Sequence, residues 1–301
     1  MKKIKGPAIV GIVGLGDMGS GLAKNLIKNK FNTIGFDLSK KRMEDFKRMG
    51  GVAHSLSEVG KFADIVFVMV MNGNQAKEVI INKDGLIHSL KKNSTVIITA
   101  TIKPLEAKQI GEAMKDTEIN IIDSPVSGGF PGAQNGTLTM MAAGEKNALK
   151  KCNSVMEAVS KNIHHVGVKP GEGQTVKACL QSLIGSIFSA TFEAAALAAK
   201  AGVKGETLFN VFSTSGAGCD VTNTALENII DRKFFGTGSS ISTMHKDLTI
   251  ALDLAENLGV PLHTASTAMQ LFQAGKTKYP DGDNWVVTKV IEEIIGAELH
   301  R

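Results

Sequence analysis

Several features are scarce in this chain, and each scarcity narrows the class of protein. The 301 residues include one Trp and one Tyr, so an aromatic platform for stacking single-stranded nucleic acid is not expected. No uninterrupted apolar stretch approaches about 18 residues, so the sequence predicts no membrane-spanning helix. The 34 basic residues exceed the 29 acidic ones by only 5, and the lysines are scattered. This charge pattern disfavours nucleic-acid binding and is typical of an enzyme with an anionic substrate.

Cysteine is also scarce, which bears on the cellular compartment. Cys152, Cys179 and Cys219 lie far apart, with no CxxC or Cys/His ligand spacing, so the sequence predicts a reducing cytoplasm and no structural metal. We expect Cys179 to be a buried, small apolar residue of a helix. The basic start Met1–Lys5 precedes an apolar run, as in a signal peptide. Gly14, Gly16 and Asp17 break that run, however, and we expect it to form a first strand of the fold instead of a signal peptide.

The first half of the chain alternates short apolar runs with helical patterns. Such runs are typical of parallel strands that are buried on both faces, and they lie at 8–13, 33–37, 63–70, 94–98 and 120–123, with two more at 137–142 and 163–166. After about Gly167 only helical patterns remain, at about 173–200, 204–213, 222–231, 242–258, 261–274 and 284–297. The sequence therefore predicts an α/β Rossmann domain at 1–167, followed by an all-α domain at 168–301.

A glycine motif stands at the first predicted strand-to-helix junction and reads Gly14-Leu15-Gly16-Asp17-Met18-Gly19. In a Rossmann unit the first glycine permits the tight turn and the second admits the pyrophosphate, while the third lets the helix pack on the strand. The helix N-terminus then faces the phosphates. The whole motif is therefore predicted to bind a dinucleotide.

An acidic residue ends the second predicted strand and bears on the choice of cofactor. Asp37 lies 18 residues after Gly19, where a carboxylate accepts hydrogen bonds from the adenosine ribose hydroxyls and favours NAD over NADP. The basic residues Lys40, Lys41 and Arg42 follow closely and could meet a 2′-phosphate. The predicted cofactor is NAD, with NADP as the alternative.

Ligands of open parallel sheets bind outside the carboxyl ends of the strands, which makes the residues there candidates for the site. Met71 and Asn72 follow the third predicted strand, and Thr101 follows the fourth. A polar loop residue that satisfies the local backbone is the alternative for Asn72 and Thr101. The loop after Asp123 is more specific, because its glycines would leave backbone N–H groups free beside a hydroxyl, which suits a carboxylate. Its candidate substrate-binding residues are Ser127, Gly128 and Gly129.

Lys177 and Gln181 stand one helical turn apart at the start of the long predicted helix. Residues at i and i+4 share one helix face, so the ammonium group and the amide can contact the same small molecule. A lysine can donate and accept a proton, and burial is expected to lower its pKa towards the range useful for catalysis at neutral pH. Lys177 is therefore the candidate general acid/base and Gln181 a candidate substrate-binding residue.

The motifs together resemble those of the β-hydroxyacid dehydrogenase family, which is related to 3-hydroxyisobutyrate dehydrogenase. Four stretches carry the resemblance in family order over nearly the whole chain: the glycine motif at 14–19, Asp123–Gly129 continuing to Thr139, Gly171–Lys177, and Lys246-Asp247-Leu248. From its sequence alone, Lys246-Asp247 is a helix-surface ion pair, and only the resemblance gives it a role at the site.

The resemblance implies an N-terminal Rossmann domain, an all-helical second domain and a cleft between them. It implies hydride transfer between a nicotinamide and the carbinol of a small hydroxy acid, with Lys177 as the acid/base. Ser127, Gly128 and Gly129 would hold the substrate carboxylate, and Lys246 with Asp247 would help to close the site over the nicotinamide.

The chain departs from the family pattern at Gln181, where most members have Asn. Glutamine there is similar to the subgroup of L-threonate dehydrogenases, which implies a threonate- or erythronate-like substrate. Other departures, however, separate the chain from that subgroup or from the family: Ala100 where serine is usual, Leu180 where histidine is usual, and Gly218-Cys219 where Asn-Ser is expected.

Four alternatives to this function stay open at this point. They are a 3-hydroxyisobutyrate dehydrogenase, a tartronate semialdehyde or sulfolactaldehyde-type reductase, an imine reductase, against which Lys177 argues, and an NAD-binding sensor without turnover. The alanine-rich long helix is typical of helix packing between subunits, so a homodimer or homotetramer is expected. No nucleic-acid or membrane partner is predicted.

Overall fold

The computed structural model describes residues 8–301, so the basic segment Met1–Lys5 lies outside the described residues. Contacts divide the chain into two compact units, the second of which runs from Ala178 to Arg301. The division falls inside the longest helix, so the first six residues of that helix belong to the first unit. The domain boundary at residue 167 stays a prediction.

The first unit alternates strands with helices, as the sequence predicted. Its strands are β1 Ile9–Val13, β2 Asn32–Phe36, β3 Val52–Ala53, β4 Ile65–Val68, β5 Thr95–Ile98, β6 Asn120–Asp123, β7 Val126–Ser127, β8 Leu138–Ala143 and β9 Ser160–Gly167. Its helices are α1 Asp17–Lys28, α2 Lys40–Arg48, α3 Leu56–Phe62, α4 Gly73–Ile80, α5 Pro104–Met114, α6 Gly129–Asn135 and α7 Lys146–Glu157. All seven predicted strands are present. The short β3, β7 and α6 were not predicted, because two to seven residues are too few to show a period.

The strands form one sheet in the order β3-β2-β1-β4-β5-β6-β8-β7, with β9 beside β8. Neighbouring strands are parallel from the edge strand β3 through β2, β1, β4 and β5 to β6. Strand β8 runs antiparallel to β6. Strands β2 and β3 lie on one side of β1, and β4, β5 and β6 lie on the other. Open α/β sheets bind their ligands at such a switch point. The carboxyl ends of β1, β4, β5 and β6 therefore lie along one edge.

Apolar side chains alternate between the two faces of the sheet because successive strand residues point in opposite directions. Ile12 and Phe67 pack on one face with helix α1, and Val66 and Ile98 pack on the other with helix α5. These four side chains are fully buried. Each such burial contributes roughly 1.5–3 kcal/mol, so the central strands form a rigid base for the loops that follow them.

The second unit is helical. It contains most of α8 Glu172–Lys200, then α9 Gly205–Thr214, α10 Asp220–Ile230, α11 Ile241–Leu258, α12 His263–Lys278 and α13 Val286–Ile295. Every helix predicted after residue 167 is present, with ends shifted by at most a few residues. The core of this unit is an aromatic cluster in which Phe188 stacks on Phe192 at a ring-centroid distance of 5.8 Å, with Phe272 and Trp285 edge-on.

Helix α8 differs from the sequence prediction in two respects. It is long and apolar enough to cross a membrane by length and composition alone, with 44% of its most apolar window buried. A core helix of a soluble protein has the same character, and α8 contributes Phe188, Phe192 and Ala195 to the aromatic core. The expected burial of Cys179 is wrong, because position 179 lies on the exposed side of α8 next to buried Ala178.

Candidate active site

The glycine motif forms a tight turn between β1 and α1. Gly14 has φ +91°, and a β-carbon there would lie 2.1 Å from the carbonyl oxygen of Met69. Gly19 is equally confined, since a β-carbon would lie 1.8 Å from the carbonyl oxygen of Gly14. Gly16 is different, because its nearest neighbours are the guanidinium atoms of Arg42 at 3.7 Å. The open side of Gly16 is a cradle in which backbone can approach a pyrophosphate.

The other residues of the motif flank this cradle. Leu15 is buried in the sheet core and Met18 packs against the same core. Asp17 is the exposed first residue of α1, and no side chain caps that helix at Gly16. The first N–H groups of α1 thus lack a side-chain cap, as in helices that bind a phosphate. The residues present fit a dinucleotide.

Asp37 lies just beyond β2, and the nearby backbone fixes its carboxylate. Its Oδ2 accepts from the Leu15 N–H at 2.7 Å and its Oδ1 accepts from the Ser39 N–H at 2.8 Å. The Arg42 guanidinium is 3.6 Å from Oδ2 and is half-exposed. A ribose acceptor and a cation suited to a 2′-phosphate therefore lie side by side. Of the three basic residues that the sequence offered for a phosphate, Arg42 is the one at the cradle.

The candidates after β4 and β5 differ in what their side chains do. Met71 is an exposed side chain in the loop before α4. Asn72 is exposed and caps α4, since its Oδ1 accepts from the Gln75 N–H at 3.0 Å. Thr101 is half-buried in the segment between β5 and α5. All three lie at the predicted edge of the sheet, and the oxygen of Asn72 is engaged in capping.

The loop after β6 places its glycines in conformations that other residues rarely adopt. Ser127 ends the short strand β7, paired with Thr139 of β8. Gly128 and Gly129 follow at φ +123° and +56°, and both are exposed. The hydroxyl of Ser127 is thus followed directly by two exposed, positive-φ residues. This geometry is consistent with the predicted binding of a carboxylate by backbone N–H groups.

Lys177 and Gln181 lie on α8 as predicted, one turn apart, and each side chain is 6% exposed. The Gln181 Nε2 donates to Oδ2 of Asp247 at 2.6 Å. Asp247 is buried on α11, and its Oδ1 lies 2.8 Å from the Lys246 ammonium. The motif residues Lys246 and Asp247 are therefore more than a surface ion pair, because Asp247 connects Lys246 to Gln181.

This contact determines how the Gln181 amide is oriented. The amide nitrogen is the group that faces Asp247, because it donates to a carboxyl oxygen of that residue. The Gln181 Oε1 is then the acceptor left for another partner. The sequence identified both residues but not their pairing, since 66 positions separate them.

Asp123 and Gln174 form a buried network that the sequence did not identify as functional. The Asp123 Oδ2 accepts from the backbone N–H groups of Gly171 and Gln174 at 2.8 and 3.2 Å. The Asp123 Oδ1 accepts from the Gln174 Nε2 at 2.7 Å. Burial raises the pKa of Asp123 to about 6, although the hydrogen bonds from Gln174, Gly171 and Gly173 act in the opposite direction. The only sequence signal was that both residues lie inside motifs.

Within residues 8–301, no group of three or more His, Cys, Asp or Glu side chains is arranged to hold a metal ion. His164 and His165, adjacent on β9, are exposed, and the ring of His165 contacts the Gly144 carbonyl oxygen at 3.2 Å.

The fold and the glycine cradle define a dinucleotide-binding protein. Residues 9–167 match the family model of the NAD-binding domain of 6-phosphogluconate dehydrogenase, and residues 171–291 match that of the NAD-binding domain of NADP-dependent 3-hydroxyisobutyrate dehydrogenase. The chain belongs to the β-hydroxyacid dehydrogenase family, and it is an NAD(P)-dependent enzyme that acts on a CH–OH group.

Individual relatives cover nearly the whole chain. L-threonate dehydrogenase of Escherichia coli is 33% identical over 95% of both chains. A probable mitochondrial 3-hydroxyisobutyrate dehydrogenase of Dictyostelium discoideum is 33% identical over 87% of this chain and 84% of its own. The crystal structure of a 3-hydroxyisobutyrate dehydrogenase from Salmonella typhimurium superposes with a TM-score of 0.85 at 32% identity, over 94% of this chain and 99% of that one.

Proposed function

We propose that this enzyme transfers a hydride between NAD and a small polyhydroxy acid of the threonate or erythronate type, with Lys177 as the general acid/base. Residues 1–167 bind the cofactor, and the nicotinamide, when bound, exchanges the hydride with the carbinol carbon. The amine of Lys177 takes the hydroxyl proton during oxidation and returns it during reduction. The Ser127-Gly128-Gly129 loop holds the substrate carboxylate. Lys246 and Asp247 help to close the site.

The observation that carries the choice of substrate is the orientation of Gln181. With its nitrogen held by Asp247, the amide offers an oxygen, which can accept from a hydroxyl but not from a carboxylate. A polyhydroxy acid has a hydroxyl to donate in addition to the one that reacts. Glutamine at this position and the 33% identity to L-threonate dehydrogenase support the same class.

A second candidate is 3-hydroxyisobutyrate, which has a methyl branch in place of additional hydroxyls. The similarity to the enzymes from Dictyostelium and Salmonella favours it. A site with a buried acceptor discriminates strongly against an analogue that lacks the matching donor. The two candidates therefore differ in whether Gln181 contacts the substrate.

The test measures nicotinamide absorbance with L-threonate, D-erythronate, D-glycerate, 3-hydroxyisobutyrate and L-serine, using NAD and NADP in parallel. We expect the four-carbon polyhydroxy acids to have the highest kcat/KM. Replacement Gln181→Asn should reduce this preference, because the shorter amide cannot reach both Asp247 and the substrate. A preference for 3-hydroxyisobutyrate that Gln181→Asn leaves unchanged would contradict the proposed substrate.

The role of Lys177 is tested separately. In Lys177→Ala we expect kcat to fall roughly 10²–10⁴-fold, the usual contribution of a positioned acid/base. The Kd for NAD, measured by calorimetry, should change little, because the cofactor contacts lie elsewhere. Unchanged turnover would remove Lys177 from the chemistry while leaving the family assignment intact.

The remaining parts of the proposal concern the role of the second domain, the number of subunits and the cellular location. Residues 168–301 contribute to substrate binding and to assembly into a homodimer or homotetramer in the cytoplasm. The apolar, alanine-rich helix α8, with exposed Leu183 and Leu197, supports assembly through helix packing. Light scattering of the purified protein would report the number of subunits.

A further inference from the structure

Asp123 is held firmly in the first unit at the carboxyl end of β6. Its backbone is in register with Ile98 of β5 on one side and with Ala143 of β8 on the other. The side chain is completely buried. Such a carboxylate is unfavourable unless several donors compensate for the lost water. The donors that this structure provides all come from the start of α8.

The carboxylate binds the first turn of α8. It accepts two backbone N–H groups, of Gly171 and Gln174, and the side-chain amide of Gln174. Gly173, between these two donors, lies against the sheet backbone. A β-carbon there would lie 2.6 Å from the carbonyl oxygens of both Asp123 and Met141. The start of the helix therefore packs directly on the ends of β6 and β8.

Gln174 extends the network to the segment that follows β5. Its Nε2 also donates to the Ala100 carbonyl oxygen at 3.1 Å, and its Oε1 accepts from the Ile102 N–H at 3.0 Å. Gln174 is 1% exposed, so both hydrogens and the oxygen of its amide are used without water. Thr101 lies between these two backbone contacts.

We propose that Asp123 is a positioning residue that places Lys177 relative to the Ser127-Gly128-Gly129 loop. Lys177 lies three residues after Gln174, on the neighbouring turn of α8. Ser127, the first residue of the loop, lies four residues after Asp123 and follows it through β7. One side chain thus fixes both the helix that carries the amine and the segment that carries the carboxylate-binding glycines. The proposal rests on the acid/base role proposed for Lys177.

Both terminal atoms of the side chain at position 123 must accept hydrogen bonds, because each of them faces N–H donors. In Asp123→Asn the size is kept, but an NH2 group then faces either the Gln174 amide nitrogen or the two backbone N–H groups. Donors that face each other in a dry site repel, and the helix start must shift to relieve them. Proton transfer is sensitive to such shifts, because an ångström of misplacement can cost about 10²-fold in rate.

The experiment compares wild type with Asp123→Asn, using the best acid of the panel above at pH 7.5. We expect kcat to fall at least 10-fold, while the Kd for NAD stays within about 3-fold. Loss of a merely structural contact would lower the affinity for NAD together with kcat.

Ser160→Ala is the matched control for general destabilisation. Ser160 is buried on β9, and its hydroxyl donates to the Met156 carbonyl oxygen at 2.8 Å. The control should unfold at lower urea concentration while retaining the wild-type kcat. A folded Asp123→Asn enzyme with kcat within 2-fold of wild type would overturn the proposal.

Two further variants make the outcome decisive. If Asp123→Asn does not fold, Gln174→Ala replaces it, because it removes the bridging amide and leaves two backbone bonds to Asp123. A kcat loss of at least 5-fold in Gln174→Ala supports the positioning role, and an unchanged kcat overturns it.

Lys177→Ala separates the two proposals. Turnover lost in Lys177→Ala but kept in Asp123→Asn refutes the positioning role alone, whereas turnover kept in Lys177→Ala refutes the acid/base role.

Discussion

At the residue scale, the second and third glycines of the glycine motif serve different purposes. Gly19 is required by the fold, because a β-carbon there would overlap the carbonyl oxygen of Gly14. Gly16 is not required by the fold, because the atoms nearest its missing β-carbon are at ordinary van der Waals distance. Its small size matters for the approach of a ligand.

This difference predicts opposite outcomes for two similar substitutions. Gly16→Ala should leave the urea midpoint close to that of wild type and weaken NAD binding, since the methyl group occupies the phosphate approach. Gly19→Ala should destabilise the fold by about 1–3 kcal/mol or more, as overpacking does. Urea unfolding and calorimetric titration with NAD distinguish the two effects. Full NAD affinity in Gly16→Ala would show that the pyrophosphate does not lie over Gly16.

Arg42 gives a second prediction at this scale, which concerns the cofactor. Its guanidinium lies beside Asp37 and over Gly16, where it can contact the 2′-phosphate that NADP has and NAD lacks. Arg42→Ala should therefore raise the Kd for NADP at least 10-fold and that for NAD only slightly. Equal effects on both cofactors would mean that Arg42 acts on the pyrophosphate they share.

At the scale of the elements, a buried ion pair fixes the last helix of the second unit. Glu292 of α13 is 3% exposed and accepts both guanidinium nitrogens of Arg232, at 2.6 and 2.9 Å. Its Oε1 also accepts from the Leu299 N–H at 3.1 Å. The carboxylate thus joins the end of α10 to the segment after α13.

Glu292→Gln keeps the shape of this side chain but removes the buried counter-charge of the Arg232 guanidinium. Removing one partner of a buried pair costs about 3–5 kcal/mol, and we expect a loss near the lower end because Arg232 is partly exposed. Urea unfolding monitored by the fluorescence of Trp285, which lies in the core of this unit, measures the loss. Glu298→Gln, an exposed partner of the same arginine, is the control and should cost under about 1 kcal/mol. Equal losses in both variants would contradict the burial argument.

At the scale of the whole molecule, Asp123 makes stability depend on pH. Burial raises its pKa from 3.8 to about 6 in the folded chain, so the folded state holds the proton over a pH range in which the unfolded chain has released it. The stabilisation from this group is therefore greatest below pH 4 and is lost as the pH rises through 6. A shift of about two pH units corresponds to about 3 kcal/mol.

The measurement is the unfolding free energy of wild type minus that of Asp123→Asn between pH 4 and 7. We expect this difference to fall by up to about 3 kcal/mol as the pH rises, because the other carboxyl groups cancel in the comparison. A difference that stays constant with pH would show that Asp123 is ionised in the folded protein throughout the range.

Much of this protein could be predicted from its sequence alone. The seven longer strands and the change to helices after residue 167 follow from apolar periods and from glycine spacing, which are local properties of the chain. The family follows from the resemblance of four motifs. The positions of Lys177, Gln181 and the Ser127-Gly128-Gly129 loop also follow from sequence motifs. Their proposed roles come from chemistry and from the family resemblance.

Only the tertiary structure showed which polar groups meet. The Gln181 amide faces Asp247, and the Asp123 carboxylate faces Gln174 and Gly171, although 48 to 66 positions separate the partners. The sequence also placed Cys179 inside, whereas it lies on the exposed side of its helix. A local pattern shows the element on which a side chain lies. Its burial and its partners depend on how distant elements pack, which no local period encodes.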